Sequence, residues 1–151
     1  MEERRNLNWQ EYFLLLANTV KLKSKDHNTQ IGAVIVGSDN EVVSTGYNSF
    51  PRGINDDVPE RQERPEKYHW FCHAERNAIY NAARIGVSTK GCTMYLTCGL
   101  PCTECCRGII NAGITKVVCS TKEVAKGEHY KEMGQKTEQM FRESNIEIIY
   151  Y

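Results

Sequence analysis

The sequence predicts an α/β protein built as a three-layer α/β/α domain. Two observations predict it. The apolar runs at 31–36 and 41–47 flank four turn residues and read as a β-hairpin. Beyond residue 70, strand-like runs alternate with helical patterns, which implies largely parallel pairing with helices on both faces. The 151 residues fit one domain, 1–151, able to bury roughly 70% of its unfolded surface.

The elements follow in order. Asn8 caps a helix beginning at Trp9, with Trp9, Tyr12, Phe13, Leu16, Val20 and Leu22 at helical spacing. It ends around Lys23–Lys25, where basic residues suit a helix C-terminus. "IGAVIV" (31–36) is a buried strand, "GSDN" (37–40) a turn, and "EVVSTGY" (41–47) the returning strand. Residues 49–69 hold three of the four prolines and many charges, so they read as a long loop; loops beyond ~12–15 residues are usually functional or disordered. Then come a helix over 73–84, a strand over 92–98, and a helix over 103–112 stopped by Gly113. A strand over 115–120, a helix over 130–144 and the closing strand "IEIIYY" complete the order αββαβαβαβ. There is no repeat and no low-complexity segment.

Composition narrows the function. Apolar content of 40% and charged content of 25% are those of a globular protein. A net charge of +0 argues against a general nucleic-acid binder, although a small anionic ligand needs only a few local cations. No apolar run approaches the ~20 residues of a membrane span, and "MEERRNLNW" has no signal-peptide core, so a cytoplasmic protein is expected. In a reducing compartment the seven cysteines, an odd number, point to metal or catalysis rather than a full set of disulfides.

Two stretches carry the chemistry: "CHAERNAI" (72–79) and "LPCTECC" (100–106). Cys102 and Cys105, spaced i, i+3 after Pro101, share a helix face at a helix start, where free N–H groups favour thiolates. His73 and Glu75 stand at the start of another helix, where both side chains can turn into one pocket. His73, Cys102 and Cys105 make three zinc ligands, and a catalytic zinc keeps its fourth position for water. Two thiolates and an imidazole leave the site neutral and its water only weakly acidified, so Glu75 becomes useful as a proton carrier. The alternative is a closed structural zinc completed by Cys106 or Cys98. Cys106 points about 100° away on the helix, and Cys98 would have to bend back from a strand end.

H-x-E with P-C-x-x-C is the signature of the zinc-dependent deaminases. In the reaction it implies, zinc-activated water attacks the amine-bearing carbon, and Glu75 protonates the ring nitrogen and then the departing amine. The resemblance is wider than the signature. "NWQEYF" (8–13), "SKDHNTQIGAVIV" (24–36), "GYNSFPRGINDD" (46–57), "KYHWFCHAERNAI" (67–79), "KGCTMYL" (90–96) and "LPCTECCRGIINAGITKVV" (100–118) resemble the deoxycytidylate deaminases of the cytidine-deaminase superfamily, across roughly 8–120. The stretch ahead of the histidine selects that branch from deaminases of cytidine, guanine, riboflavin precursors and tRNA adenosine.

The resemblance implies a five-stranded mixed sheet in the order 2-1-3-4-5. It implies dCMP converted to dUMP for thymidylate synthesis, in a homo-oligomer (hexamer, or smaller dimer or trimer). It places the Ala74 N–H near the pyrimidine carbonyl and Asn48 on the sugar 3′-hydroxyl. Lys25 and Asn28, on the pocket rim, are candidates for phosphate, with Arg52, Arg61, Arg64 and Lys67 behind them. Many members respond to dCTP and dTTP through a "GYNG" loop, whose glycine is Ser49 here. The long loop has no cysteine before Cys72, so one Zn2+ per chain is expected. The rival readings are the same chemistry on a modified deoxycytidylate such as the 5-methyl form, a triphosphate or a free base, or a silent zinc-binding regulatory subunit, which would have no need of Glu75.

Overall fold

The computed structural model describes residues 4–123 and 125–151. Helix α1, Trp9–Val20, starts in a reciprocal capping box: Asn8 accepts from the Glu11 N–H and the Glu11 carboxylate accepts from the Asn8 N–H. Strand β1, Gly32–Val36, is buried along its whole length, as an unbroken GAVIV run requires. It pairs antiparallel with β2, Val42–Tyr47, and with β3, Thr93–Leu96. Strands β4, Lys116–Cys119, and β5, Glu147–Tyr150, continue the sheet in parallel. The order β2-β1-β3-β4-β5 is the one expected.

The layers are unequal. On one face α1 alone packs Phe13, Leu14 and Ala17 onto Val34, Val36, Tyr95 and Val118. The other face carries α3, Ala74–Ile85, α4, Thr103–Asn111, and α5, Glu128–Glu143. Their apolar sides cover Ala33, Ile35, Met94, Leu96, Val117 and Cys119. Gly86 and Gly113, at φ 78°, turn the chain out of α3 and past α4.

Three expectations shift. The last helix begins at Glu128, two residues earlier than its pattern suggested. The segment 49–69 is not bare loop: it contains a 3-10 turn, Pro59–Gln62, and the start of a one-turn helix α2, Lys67–Trp70. His73 caps α3 from outside rather than opening it. Among the described residues no helix is long and apolar enough to cross a membrane.

The topology positions the site. Strands β2 and β3 both run antiparallel to β1, so their C-terminal ends share one edge of the sheet. Helices α3 and α4 start just beyond that edge, and both N-termini face the same place.

Candidate metal and catalytic site

Helix α3 is seated tightly on β2. A Cβ on Gly46 would lie 2.3 Å from the Ala78 nitrogen and 2.6 Å from the Ala74 carbonyl oxygen, so only glycine lets the helix approach. An antiparallel bridge joins Ser49 to Cys72, with backbone bonds of 3.1 and 2.9 Å. Asn77 secures the same corner: its amide donates to the carbonyls of Tyr47 at 2.7 Å and Cys72 at 3.2 Å. His73 therefore leaves a fixed backbone.

His73 makes no side-chain capping bond, and its ring turns across to α4. Nδ1 lies 3.5 Å from Cys102 Sγ and 3.4 Å from Cys105 Sγ, and all three atoms fall within 4.8 Å of one another. Tetrahedral zinc with Zn–S of ~2.3 Å and Zn–N of ~2.0 Å sets nitrogen and sulfur about 3.5 Å apart. The donors fit the ion in kind and in spacing. The triad runs from the surface inward: His73 is exposed, Cys102 half-buried and Cys105 fully buried.

Electrostatics favour the thiolate form. Cys102 caps α4 and accepts the Cys105 N–H at 3.4 Å. Hydrogen bonds from the Cys105 thiol, from His73 and from that N–H pull Cys102 down to about 3. Cys105, as the donor of the first bond, moves up. A dication binds both sulfurs as thiolates and releases their protons. The bond to Cys102 also raises His73.

Glu75, in the first turn of α3 and near His73 and Cys102, is only 4% exposed. Desolvation raises its pKa against the opposing charge of His73. Arg76, the next residue, reaches Glu104 at 2.7 Å. Burial lowers the Arg76 pKa, but the nearby Cys105 and Cys72 sulfurs and the Glu104 carboxylate outweigh it and raise it. Among the described residues the Arg76 Nε is buried without a hydrogen-bond partner.

The remaining cysteines stand apart from the triad. Cys106 is buried and directs its thiol at the Thr137 carbonyl, 3.8 Å away, and burial pushes it up to about 11. Burial also raises Cys98 well above the ordinary thiol value and takes Cys119 to about 12. These are packing residues with little thiolate character. Among the described residues, His73, Cys102 and Cys105 form the one group spaced for a metal.

The rim residues have structural partners. Asn48, 7% exposed, donates to Thr29 O at 2.8 Å and Asp26 Oδ2 at 3.1 Å and accepts from the Ile31 N–H at 2.8 Å. Both its N–H bonds are committed; one acceptor lone pair remains. Ala74 is the first residue of α3, so its N–H belongs to the donors that intrahelical bonding leaves free. Lys25 is held by Asp56 at 2.8 Å. Asn28 is exposed, and its backbone N–H goes to Asp26. Arg52 donates to Asn81, Arg61 stacks 3.7 Å over Trp70, and Arg64 lies near the Tyr68 ring. Lys67, considered for phosphate, instead forms a buried ion pair with Asp26 at 2.6 Å. Of these groups Lys25 lines a polar cleft of about 610 Å³, together with Ser24, Asp26, His27, Asp56, Asp57 and Gln62. Ser49 is not among the residues at positive φ, so serine costs no backbone strain there.

Asp26 and Asn77 escaped the sequence reading. The signal for Asp26 was "DHNT", an Asx-turn pattern in which the carboxylate accepts the Asn28 and Thr29 N–H groups. Asn77 offered only an asparagine inside a helix, a position its side chain disfavours unless it bonds elsewhere.

Comparison with known proteins gives the family and the fold. The sequence family described as the cytidine and deoxycytidylate deaminase zinc-binding region matches residues 7–121. Human deoxycytidylate deaminase is 44% identical over 117 residues, which cover 74% of this chain and 64% of that protein. The chain thus spans just under two thirds of that relative's length. A protein of Aliivibrio fischeri described as an uncharacterized deaminase is 36% identical over 140 residues, 93% of this chain and 91% of that one. In structure, the dCMP deaminase of cyanophage S-TIM5, solved in complex with dCMP and dUMP, superposes with a TM-score of 0.76 over 98% of this chain and 100% of that one, at 20% identity. The chain belongs to the cytidine and deoxycytidylate deaminase family.

Proposed function

We propose that the protein is a zinc-dependent hydrolase that converts dCMP and water to dUMP and ammonia, and so feeds thymidylate synthesis. The observation that carries the reading is the His73–Cys102–Cys105 triad at zinc spacing with the buried Glu75 beside it. Zinc held there supplies Lewis acidity toward a water molecule. Everything else is asked of the chain. Glu75, desolvated and raised in proton affinity, takes a proton from that water, gives it to the pyrimidine ring nitrogen, and later passes one to the leaving amine. The Ala74 N–H, at the positive end of α3, holds the pyrimidine carbonyl. Cys105 and Glu75 lie away from bulk water, which sharpens these interactions.

Asn48 accepts the sugar 3′-hydroxyl proton through its one free lone pair. Lys25, with Asn28 beside it, receives the phosphate by exchanging Asp56 for the anion. A cytoplasmic homo-oligomer is part of the same reading; exposed Trp9, Leu15, Tyr80 and Ile85 support association. dCTP and dTTP are candidate effectors at the loop of Ser49, where serine meets no backbone strain.

The test is turnover by zinc-analysed protein on dCMP, CMP, deoxycytidine and dCTP, following ammonia release and ultraviolet absorbance. Selective turnover of dCMP is expected. One zinc per chain with no turnover of dCMP overturns the substrate assignment, and failure to bind zinc overturns the mechanism.

A further inference from the structure

We infer that Thr137, on α5, is a positioning residue for the metal centre: its hydroxyl holds the backbone of the loop that presents Cys102. The inference rests on the zinc reading above but concerns a residue outside 7–121, the span of the family match. Thr137 is 0% exposed, an unusual place for a hydroxyl. A threonine inside a helix ordinarily returns its proton to the carbonyl one turn back. Here Oγ1 leaves the helix and donates to the Pro101 carbonyl at 3.0 Å, across 36 residues of sequence.

That carbonyl belongs to the peptide bond that leads into a metal ligand. Pro101 is buried, and its carbonyl carbon is bonded to the nitrogen of Cys102, the α4 cap and a member of the triad. The Pro101–Cys102 peptide plane sets the direction in which the Cys102 Cβ leaves the backbone. A second contact closes the latch from the other side, where the Cys106 thiol points at the Thr137 carbonyl at 3.8 Å. One residue of α5 is therefore joined to the chain on both flanks of the Cys102–Cys105 pair. His73 is fixed through Ser49, Cys72 and Asn77; the cysteine half of the site is fixed through Thr137.

Thr137→Val keeps the shape and removes only the donor, leaving a buried carbonyl unpaired. Thr137→Ser keeps the donor. Phe141→Leu, in the same helix and equally buried, loosens α5 without touching the loop. The readout is the zinc dissociation constant by chelator competition, well below each variant's melting temperature, alongside the melting curves. Thr137→Val should weaken zinc about tenfold, the low end for changes behind metal ligands. Thr137→Ser should restore affinity to within about threefold, and Phe141→Leu should lower the melting temperature while zinc affinity holds. Wild-type affinity in Thr137→Val overturns the inference, as does equal weakening by Phe141→Leu. If the wild-type chain itself binds no zinc, the metal centre falls and this role with it.

Discussion

Gly46→Ala tests how closely the proposed role of α3 depends on its seat. The added Cβ would stand 2.3 Å from the Ala78 nitrogen and 2.6 Å from the Ala74 oxygen, where ordinary contact begins at 3.4 Å. Both obstructing atoms are α3 backbone, so no side-chain rotation relieves the clash, and the helix must withdraw from β2 by about 1 Å. Overpacking of this kind costs about 1–3 kcal/mol. For a chain of this size the melting temperature should fall roughly 2–10 °C. The functional effect should be larger. Ala74 and Glu75 form the first turn of α3, and a misplacement of about 1 Å at a reacting group can cost ~100-fold in rate. The assay is kcat on dCMP at 20 °C, far below the melting temperature, with zinc content measured on the same sample. A chain that stays folded and metallated yet loses about two orders of magnitude in kcat fits the reasoning. Wild-type melting and wild-type kcat would refute it, because the contact would then be one the fold can simply yield.

Glu75→Gln should keep zinc and fold and lose turnover by at least ~10³-fold, since a carboxamide cannot carry the proton; activity near wild type sinks the proton role. The Asn48 bonding pattern predicts substrate polarity: a 3′-amino analogue of dCMP, which can donate, should turn over, whereas the 3′-O-methyl analogue should bind about tenfold more weakly or worse. Equal use of the 3′-O-methyl analogue would remove Asn48 from that contact. Asp26→Asn leaves Lys67 buried without its counter-charge and should cost about 3–5 kcal/mol at neutral pH. Desolvation raises Asp26, but bonds from Lys67 and the Asn28 and Thr29 N–H groups outweigh it, so the folded pKa is lowered. That stabilisation is present above the unfolded value of ~3.9 and lost as pH falls through the folded one. Thermal melts should therefore show the wild-type advantage intact at pH 6 and closing below about pH 4; a gap constant to pH 2 would refute the pair.

The sheet was legible because its patterns are local. GAVIV, bounded by turn residues, reads as a buried strand, and Asn8 ahead of the helical spacing from Trp9 announces the first helix. The alternation beyond residue 70 fixes the parallel half by the handedness of crossover connections. The segment 49–69 was less legible: Lys67 reads as surface charge until Asp26, distant in sequence, is brought beside it. Periodicity carries no information about a pair of residues joined by a loop.

The same division runs through the site. His73, Glu75, Cys102 and Cys105 occur in two short motifs because each pair stands at a single helix start. Bringing the pairs together needs three separate supports: a glycine that admits α3, a bridge at Ser49 and Cys72, and a hydroxyl from α5 behind Pro101. Each acts through backbone, so its residue type is only weakly tied to the reaction. A glycine in a strand or a threonine in a helix has many structural reasons to exist. The ligands name the chemistry, while their spacing of 3.4–3.5 Å is a property of the packed chain. Losses of activity from Gly46 and Thr137 should therefore differ in kind. The first displaces Glu75 and should lower kcat at full zinc occupancy. The second loosens Cys102 and should lower zinc affinity, with kcat per bound zinc held. Measuring occupancy and rate on each variant separates the two supports, and a shared pattern of loss would show that the helices move as one body.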